Sequence, residues 1–209
     1  VDGAPLVWLG RRIGIPIPER VAGASLLEML VDGRKSSNHT GPLKLFFFGG
    51  DDDLAEAACN AVNAKSVNST TPSVKCAGYL NPGFGSVEEL STQEIINHIN
   101  NSGADFLVVS LGAAKGQAWI LRNLKQLNTP VISHLGAAIN FISGDIPRAP
   151  MWVQRFGCEW LWRIKEQPKL FTRYWYDGLL LVRVAIMRLV PYWFWLRRNR
   201  SLASEPLSI

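Results

Sequence analysis

The 209-residue chain reads as an α/β protein built on a Rossmann-like, doubly wound, mostly parallel sheet with a helical C-terminal appendage. Three observations predict this. Short apolar runs alternate with stretches of helical periodicity. The runs lack the apolar/polar alternation of a half-exposed strand, as strands covered on both faces do. Each run also ends in turn-forming residues, at Gly49, Asn81, Gly112 and Gly136, where such sheets take their ligands.

The chain opens with a turn, Asp2-Gly3-Ala4-Pro5, and Leu6 to Leu9 reads as a strand. A loop with two prolines, Arg11 to Pro18, leads through Glu19 and Arg20 to a helix from about Ala24 to Val31, with Leu26, Leu27 and Leu30 on one face. After a polar connector, Lys44 to Phe48 is a buried strand ending in Gly49-Gly50. Asp51 is placed to cap a helix from Asp52 to about Ala64. Val74 to Tyr79 is the next strand, and the following Leu80-Asn81-Pro82-Gly83-Phe84-Gly85 is a loop. Ser91 is placed to cap a helix reaching about Asn101, with Ile95, Ile96 and Ile99 inward. Phe106 to Val109 is a strand, a helix follows to about Leu127, and Pro130 to His134 is another strand.

The character changes near residue 145, which divides the chain into a nucleotide-binding domain (1–145) and an appendage (146–209). Residues 1–149 hold 12 Lys/Arg and 13 Asp/Glu. Residues 150–209 hold 10 Lys/Arg, 4 Asp/Glu and six of the eight Trp. A basic, Trp-rich tail suits a membrane interface rather than a nucleic-acid groove. Short helices are expected at Met151–Phe156, Glu159–Glu166 and from Pro168 to about Tyr176. Gly178 to Trp195 is strongly apolar but carries Arg183 and Arg188, and Pro191 is expected to interrupt it. A buried arginine costs roughly 2.5 kcal/mol or more at a bilayer centre, so the run reads as lying in the headgroup layer of anionic lipids. The three Cys fit no metal pattern or disulfide framework and suggest a reducing compartment. No signal-peptide pattern opens the chain, and the start at Val1 reads as the loss of an N-terminal piece.

The stretch Phe106 to Trp119 is the chemical axis. A buried strand, a small-residue turn through Gly112 and a helix N-terminus form a phosphate-sized niche with Lys115 at its rim. Many α/β proteins carry such a glycine with no ligand, so this stretch alone does not define a site.

Three blocks give the chain a resemblance to the WecG/TagA/CpsF family of bacterial glycosyltransferases. The first is Asp2-Gly3-Ala4-Pro5 with Pro18 to Gly23. The second is Ser110-Leu111-Gly112 with Lys115 and Trp119. The third runs from Gly136-Ala137-Ala138 and Phe141 through Arg148-Ala149-Pro150 to Gly157-Cys158-Glu159-Trp160, Arg163, Glu166, Pro168 and Arg173-Tyr174. The resemblance implies a GT-E type fold and an inverting transfer from a UDP-sugar to an undecaprenyl-diphosphate-linked saccharide. It implies no metal or other cofactor, and a peripheral location on the cytoplasmic face of the inner membrane. It departs at Ala114-Lys115-Gly116-Gln117, where the family commonly has Pro-Lys-Gln-Glu, so Gly116 stands where Gln is usual. The form found here looks like the exopolysaccharide branch, which leaves N-acetylmannosamine, glucose or a uronic acid open as the donor sugar.

The resemblance gives Asp2 as the base for the acceptor hydroxyl and Arg20 as a diphosphate contact. Lys115 and the N–H groups after Gly112 would hold the UDP diphosphate, and Tyr79, Asn81 and Gln117 would reach uracil or ribose. Arg148, Arg163 and Arg173 suit a lipid-linked diphosphate or the leaving group, since Arg pairs with phosphate bidentately. Asp51-Asp52-Asp53 reads as a helix start rather than a metal site, and His134 as a hydrogen-bonded structural residue. A catalytically silent nucleotide-binding module is the alternative. A Rossmann oxidoreductase is disfavoured because no GxGxxG follows the first strand. An apolar face left open without the tail would favour homo-oligomerisation.

Overall fold

The computed structural model describes residues 3–32, 41–67, 74–136 and 138–198. Asp2, Ala137 and the segments 33–40, 68–73 and 199–209 therefore lie outside the described residues. The chain divides into two units: Ala22–Arg148, and the described residues within Val1–Val21 and Ala149–Ile209.

The first unit is the expected wound parallel sheet. Its elements are α2 (Gly23–Val31), β1 (Leu43–Phe48), α3 (Asp52–Val67), β2 (Val74–Leu80), α4 (Gln93–Asn101), β3 (Phe106–Val109), α5 (Ala113–Asn123), β4 (Val131–His134) and α6 (Ala138–Ser143). The strand order is β2-β1-β3-β4, and every pairing is parallel. Consecutive side chains of a strand point to opposite faces. Leu45, Phe47, Phe106 and Val108 accordingly meet Leu27, Ala55, Ala58, Val62 and Ile139 on one face. Phe46, Phe48, Leu107 and Val109 meet Ile96, Ile99 and Trp119 on the other. The four consecutive buried residues Leu45 to Phe48 explain why β1 shows no polar alternation. Each contributes roughly 1.5–3 kcal/mol of burial.

The face of Phe46 and Phe48 is also tied down by polar groups. Trp119, fully buried, stacks on Phe48 with centroids 4.3 Å apart and donates from Nε1 to Leu90 O at 2.7 Å. Asn123 donates to Ser91 Oγ and Trp119 O, both at 2.8 Å. Ser91 is thereby engaged away from the helix start. Thr92, not Ser91, caps α4, its Oγ1 accepting from Ile95 N at 3.3 Å.

Cys59 of α3 and Cys76 of β2 are joined as a disulfide, which overturns the expectation of unpaired thiols; Cys158 is free. Their separation of 17 residues hides the proximity, because the chain doubles back between helix and strand and brings the Cα atoms to 5.3 Å.

The second unit holds α1 (Ala4–Arg12), α7 (Met151–Arg155), α8 (Glu159–Glu166), α9 (Leu170–Val184) and α10 (Val190–Arg198). Leu6 to Leu9, expected as a strand, belongs to helix α1. A short apolar run does not by itself distinguish the two. Here Gly3 and Pro5 open a helix, Arg11 and Arg12 favour its last turn, and the buried residues Val7 and Gly10 are three apart. The Arg12 guanidinium sits 5.0 Å from the Trp8 ring centroid, one helical turn away. A Cβ on Gly157 would stand 2.4 Å from Ala4 Cβ, so the turn between α7 and α8 rests directly on α1.

The expected break at Pro191 does not occur. The helix runs on through a π segment, Ala185–Leu189, directly before α10. A proline lacks the N–H of its turn and collides with the carbonyl four residues back, and the wider π turn accommodates both defects. Leu170 to Trp195 is one rod of 26 residues, long and apolar enough to cross a membrane, and its most apolar 18-residue window has no buried residue.

Candidate active site at the carboxyl edge of the sheet

The chain leaves β1 towards β2 on one side and β3 towards β4 on the other, so the carboxyl ends of β1 and β3 form the switch point where wound sheets bind ligands. Gly49, with φ +94°, lets these ends close on each other. A Cβ there would lie 3.0 Å from Ser110 O and 2.8 Å from Leu111 Cδ2. Gly49 N donates to Leu80 O at 2.9 Å and Ser110 N to Phe48 O at 2.8 Å, which fixes three strand ends together. The buried Ser110 hydroxyl finds no hydrogen-bond partner among the described residues. Ser110 carries no distinguishing signal in the sequence, where it is one serine at a turn among several.

Gly112 is the N-cap residue of α5, and the space where its Cβ would stand is open to 4 Å. Lys115 does not project freely at this rim. Its Nζ donates to Gly85 O at 2.7 Å and so pins the loop leaving β2. Asn81 serves the same loop, its Oδ1 accepting from Gly83 N at 2.9 Å. Ser86 and Glu89 bond reciprocally, Ser86 N to Glu89 Oε2 at 2.7 Å and Glu89 N to Ser86 Oγ at 3.2 Å. The Ser86 amide and hydroxyl, helped by the Lys115 charge, hold the Glu89 carboxyl below its ordinary range. Tyr79 is half-buried near the end of β2. Burial raises its phenol above the ordinary tyrosine range, and the Glu56 and Asp52 carboxylates push the same way.

Gln117 is exposed and lies about 200° around the helix from Lys115. The structure therefore gathers Asn81, Gly112 and Lys115 around one loop and helix start, and turns Gln117 away. His134, at the end of β4, takes the hydrogen-bonded structural role expected of it, its Nε2 lying 2.7 Å from Leu111 O. Asp52 and Asp53 stand in the first turn of α3.

Arg148 belongs with the sheet unit rather than with the appendage. It pairs with Glu28 and donates to Ser25 Oγ, both on α2. The guanidinium lines a small cleft with Lys65, Phe141 and Ile142, among helices α2, α3 and α6. Lys115 is tied to a different element, the loop after β2.

In the other unit, Arg20 donates to Gln154 O at 2.9 Å and to Glu159 Oε1 at 3.3 Å, holding the entry loop to α7 and α8. Arg163 lies half-buried on α8. Arg173 is exposed on α9, 3.8 Å from Asp177 one turn on, a pair worth little in water. Asp2 lies outside the described residues.

A wound parallel sheet whose carboxyl edge carries a braced polar loop and a helix N-terminus defines the Rossmann-like class. The profile of the Glycosyl transferase WecG/TagA/CpsF family matches residues 1–193, and the chain belongs to that family. An N-acetylglucosaminyldiphosphoundecaprenol N-acetyl-beta-D-mannosaminyltransferase of Bacillus spizizenii is 27% identical over 172 residues, 82% of this chain and 62% of that protein. One of the same name from Staphylococcus aureus (strain NCTC 8325) is 23% identical over 165 residues, 78% of this chain and 58% of that protein. The chain thus matches about three-fifths of the length of these curated relatives.

Proposed function

We propose that this protein is an inverting glycosyltransferase that moves a hexose-type sugar from UDP to a polyprenyl-diphosphate-linked saccharide at a membrane surface. The observation that carries the reading is the family match across residues 1–193, with relatives named for transfer to a diphosphoundecaprenol-linked sugar. In this reading the acceptor hydroxyl attacks the anomeric carbon, the Asp2 carboxylate takes its proton, and UDP departs with the bonding pair. No metal takes part. The N–H groups after Gly112, Lys115 and Arg20 stabilise the leaving diphosphate. Arg20 exchanges a protein oxygen for a phosphate oxygen when it does so, whereas the Lys115 ammonium, with three donors, keeps Gly85 O and adds the phosphate. Tyr79 and Asn81 face the nucleoside. Arg148, Arg163 and Arg173 serve the lipid-linked diphosphate, Arg148 leaving Glu28 to reach it.

The rod Leu170–Trp195 supports a surface location. At 100° per residue, Arg173, Arg183 and Arg188 fall within roughly 140° of its circumference. A charged stripe beside an apolar face suits a helix lying in the headgroup layer of the cytoplasmic leaflet better than a span.

The test is a panel of UDP-sugars offered with an undecaprenyl-diphosphate saccharide. One donor should give a product heavier by one sugar, and Asp2→Asn should abolish it. No product with any UDP-sugar, while UDP still binds, would favour the second reading, a nucleotide-binding module without turnover. The engagement of Lys115 by Gly85 O supports that alternative.

A further inference from the structure

The loop after β2 presents one side chain with no part in the fold: Phe84 is fully exposed, at 101% of its reference area. The loop around it is built to hold still. Before Phe84, Asn81 closes a turn on Gly83, whose φ of +75° suits glycine. After it, Lys115 clamps Gly85 O, and the Ser86–Glu89 pair fixes the next turn. Four polar contacts thus order a segment whose aromatic ring touches solvent alone. An exposed phenyl ring offers a large apolar face, and holding it rigid in advance lowers the cost of covering it.

The geometry points to Phe84 as a stacking platform for the planar base of a nucleoside diphosphate, presented at the carboxyl edge of the sheet beside Lys115 and Asn81. This deepens the proposed function and rests on it. A flat, uncharged heteroaromatic ring joined to an anionic diphosphate matches an aromatic face with a lysine one residue from its attachment. In the rest of the loop, Asn81, Pro82, Gly83, Gly85 and Ser86, the partly buried Pro82 ring is the one other apolar side chain, too little to seat a lipid chain or a protein helix. Every base has a π face, and stacking on an aromatic side chain is typically strong enough to measure by alanine substitution.

Calorimetric titration of wild type, Phe84→Ala and Phe84→Trp with UDP tests the assignment, with inorganic pyrophosphate as a base-free probe. The alanine variant should bind UDP about tenfold more weakly, tryptophan should restore the affinity, and pyrophosphate should respond equally to all three. Thermal unfolding should be unchanged in both variants, because the ring has no packing to lose. Equal UDP affinity in wild type and Phe84→Ala would overturn the platform while leaving the donor reading intact. A loss confined to the UDP-sugar, with UDP unaffected, would overturn it in favour of contact with the sugar. A wild-type chain that takes up no UDP would fail the donor reading itself, and the platform with it.

Discussion

Gly116 and His134 meet so closely that α5 has no room for a side chain there: a Cβ on Gly116 would stand 2.2 Å from His134 Cδ2 and 2.8 Å from its Nε2. The imidazole is held in place by Leu111 O, 2.7 Å from Nε2. The ring occupies the space into which the glutamine common at this position in the family would grow. Glycine in a helix usually costs about 1 kcal/mol against alanine. Gly116→Ala should nevertheless destabilise, by about 1–2 kcal/mol, because overpacking and the broken histidine bond outweigh the propensity gain. Denaturant unfolding checks this, and His134→Ala in the same chain should reverse the sign of the Gly116→Ala effect.

The Ser86–Glu89 clamp makes the loop after β2 sensitive to acid. The folded-state pKa of Glu89 lies below its unfolded value, so its stabilising contribution is full above the ordinary carboxylate range. That contribution is lost as pH falls through the depressed folded value. Wild type should therefore lose part of its thermal stability on acidification below the ordinary glutamate range, and Glu89→Gln should show a shallower dependence over that window. Parallel curves for the two proteins would remove Glu89 from the account.

The Cys59–Cys76 bridge closes a loop between α3 and β2 with a sequence separation of 17. Chain entropy assigns a loop of this length roughly 3 kcal/mol of stabilisation. Cys59→Ser, or a reductant, should lower unfolding stability by about that amount, and the double variant with Cys76→Ser should be no worse than the single. Mass measurement after alkylation without reductant should find one free thiol, that of Cys158.

Arg20 joins two partners, Gln154 O and Glu159, with both charged side chains largely covered. Both bonds leave one nitrogen, Nη2, of the planar guanidinium, and Arg20→Lys keeps the charge but loses the planar donor group held between them. It should cost about 1 kcal/mol, and a double-mutant cycle with Glu159→Ala should return a coupling of about 0.5–2 kcal/mol. If Arg20 also holds the leaving diphosphate, the same lysine variant should lower turnover by more than its stability loss explains.

Deleting the residues after Gly178 should release the protein from anionic liposomes and lower activity on a lipid-linked acceptor, with little change on a short-chain soluble analogue. Binding by the full chain should weaken with added salt, since exposed arginines supply part of it. Unchanged cosedimentation of the shortened protein would move membrane association elsewhere in the chain.

The sheet was legible because its strands are continuous apolar runs closed by Gly49, Asn81 and Gly112, a pattern few other folds produce. Helix α1 is not legible because Leu6 to Leu9 suits either period, and only the packing of Val7 and Gly10 decides. The rod from Leu170 was read as broken because a proline rule applied locally at Pro191 omits the π turn that relieves it. Among the candidate site residues, Asn81 and Lys115 were located correctly at the carboxyl edge, but their hydrogen bonds to the loop were invisible in a string of letters. The placement of Arg148 against Glu28, 120 positions away, is a tertiary fact with no local signal. Phe84 had one: a lone large aromatic set among Asn, Pro, Gly and Ser has no core to join.

The outer rim of β2 shows what that strand can still do. Asn63 Oδ1 accepts the Cys76 amide at 2.9 Å, and the register slips between Leu45 and Phe46, leaving Ala77 unpaired with β1. With an amide already taken and the ladder out of step, a foreign strand cannot zip along this border.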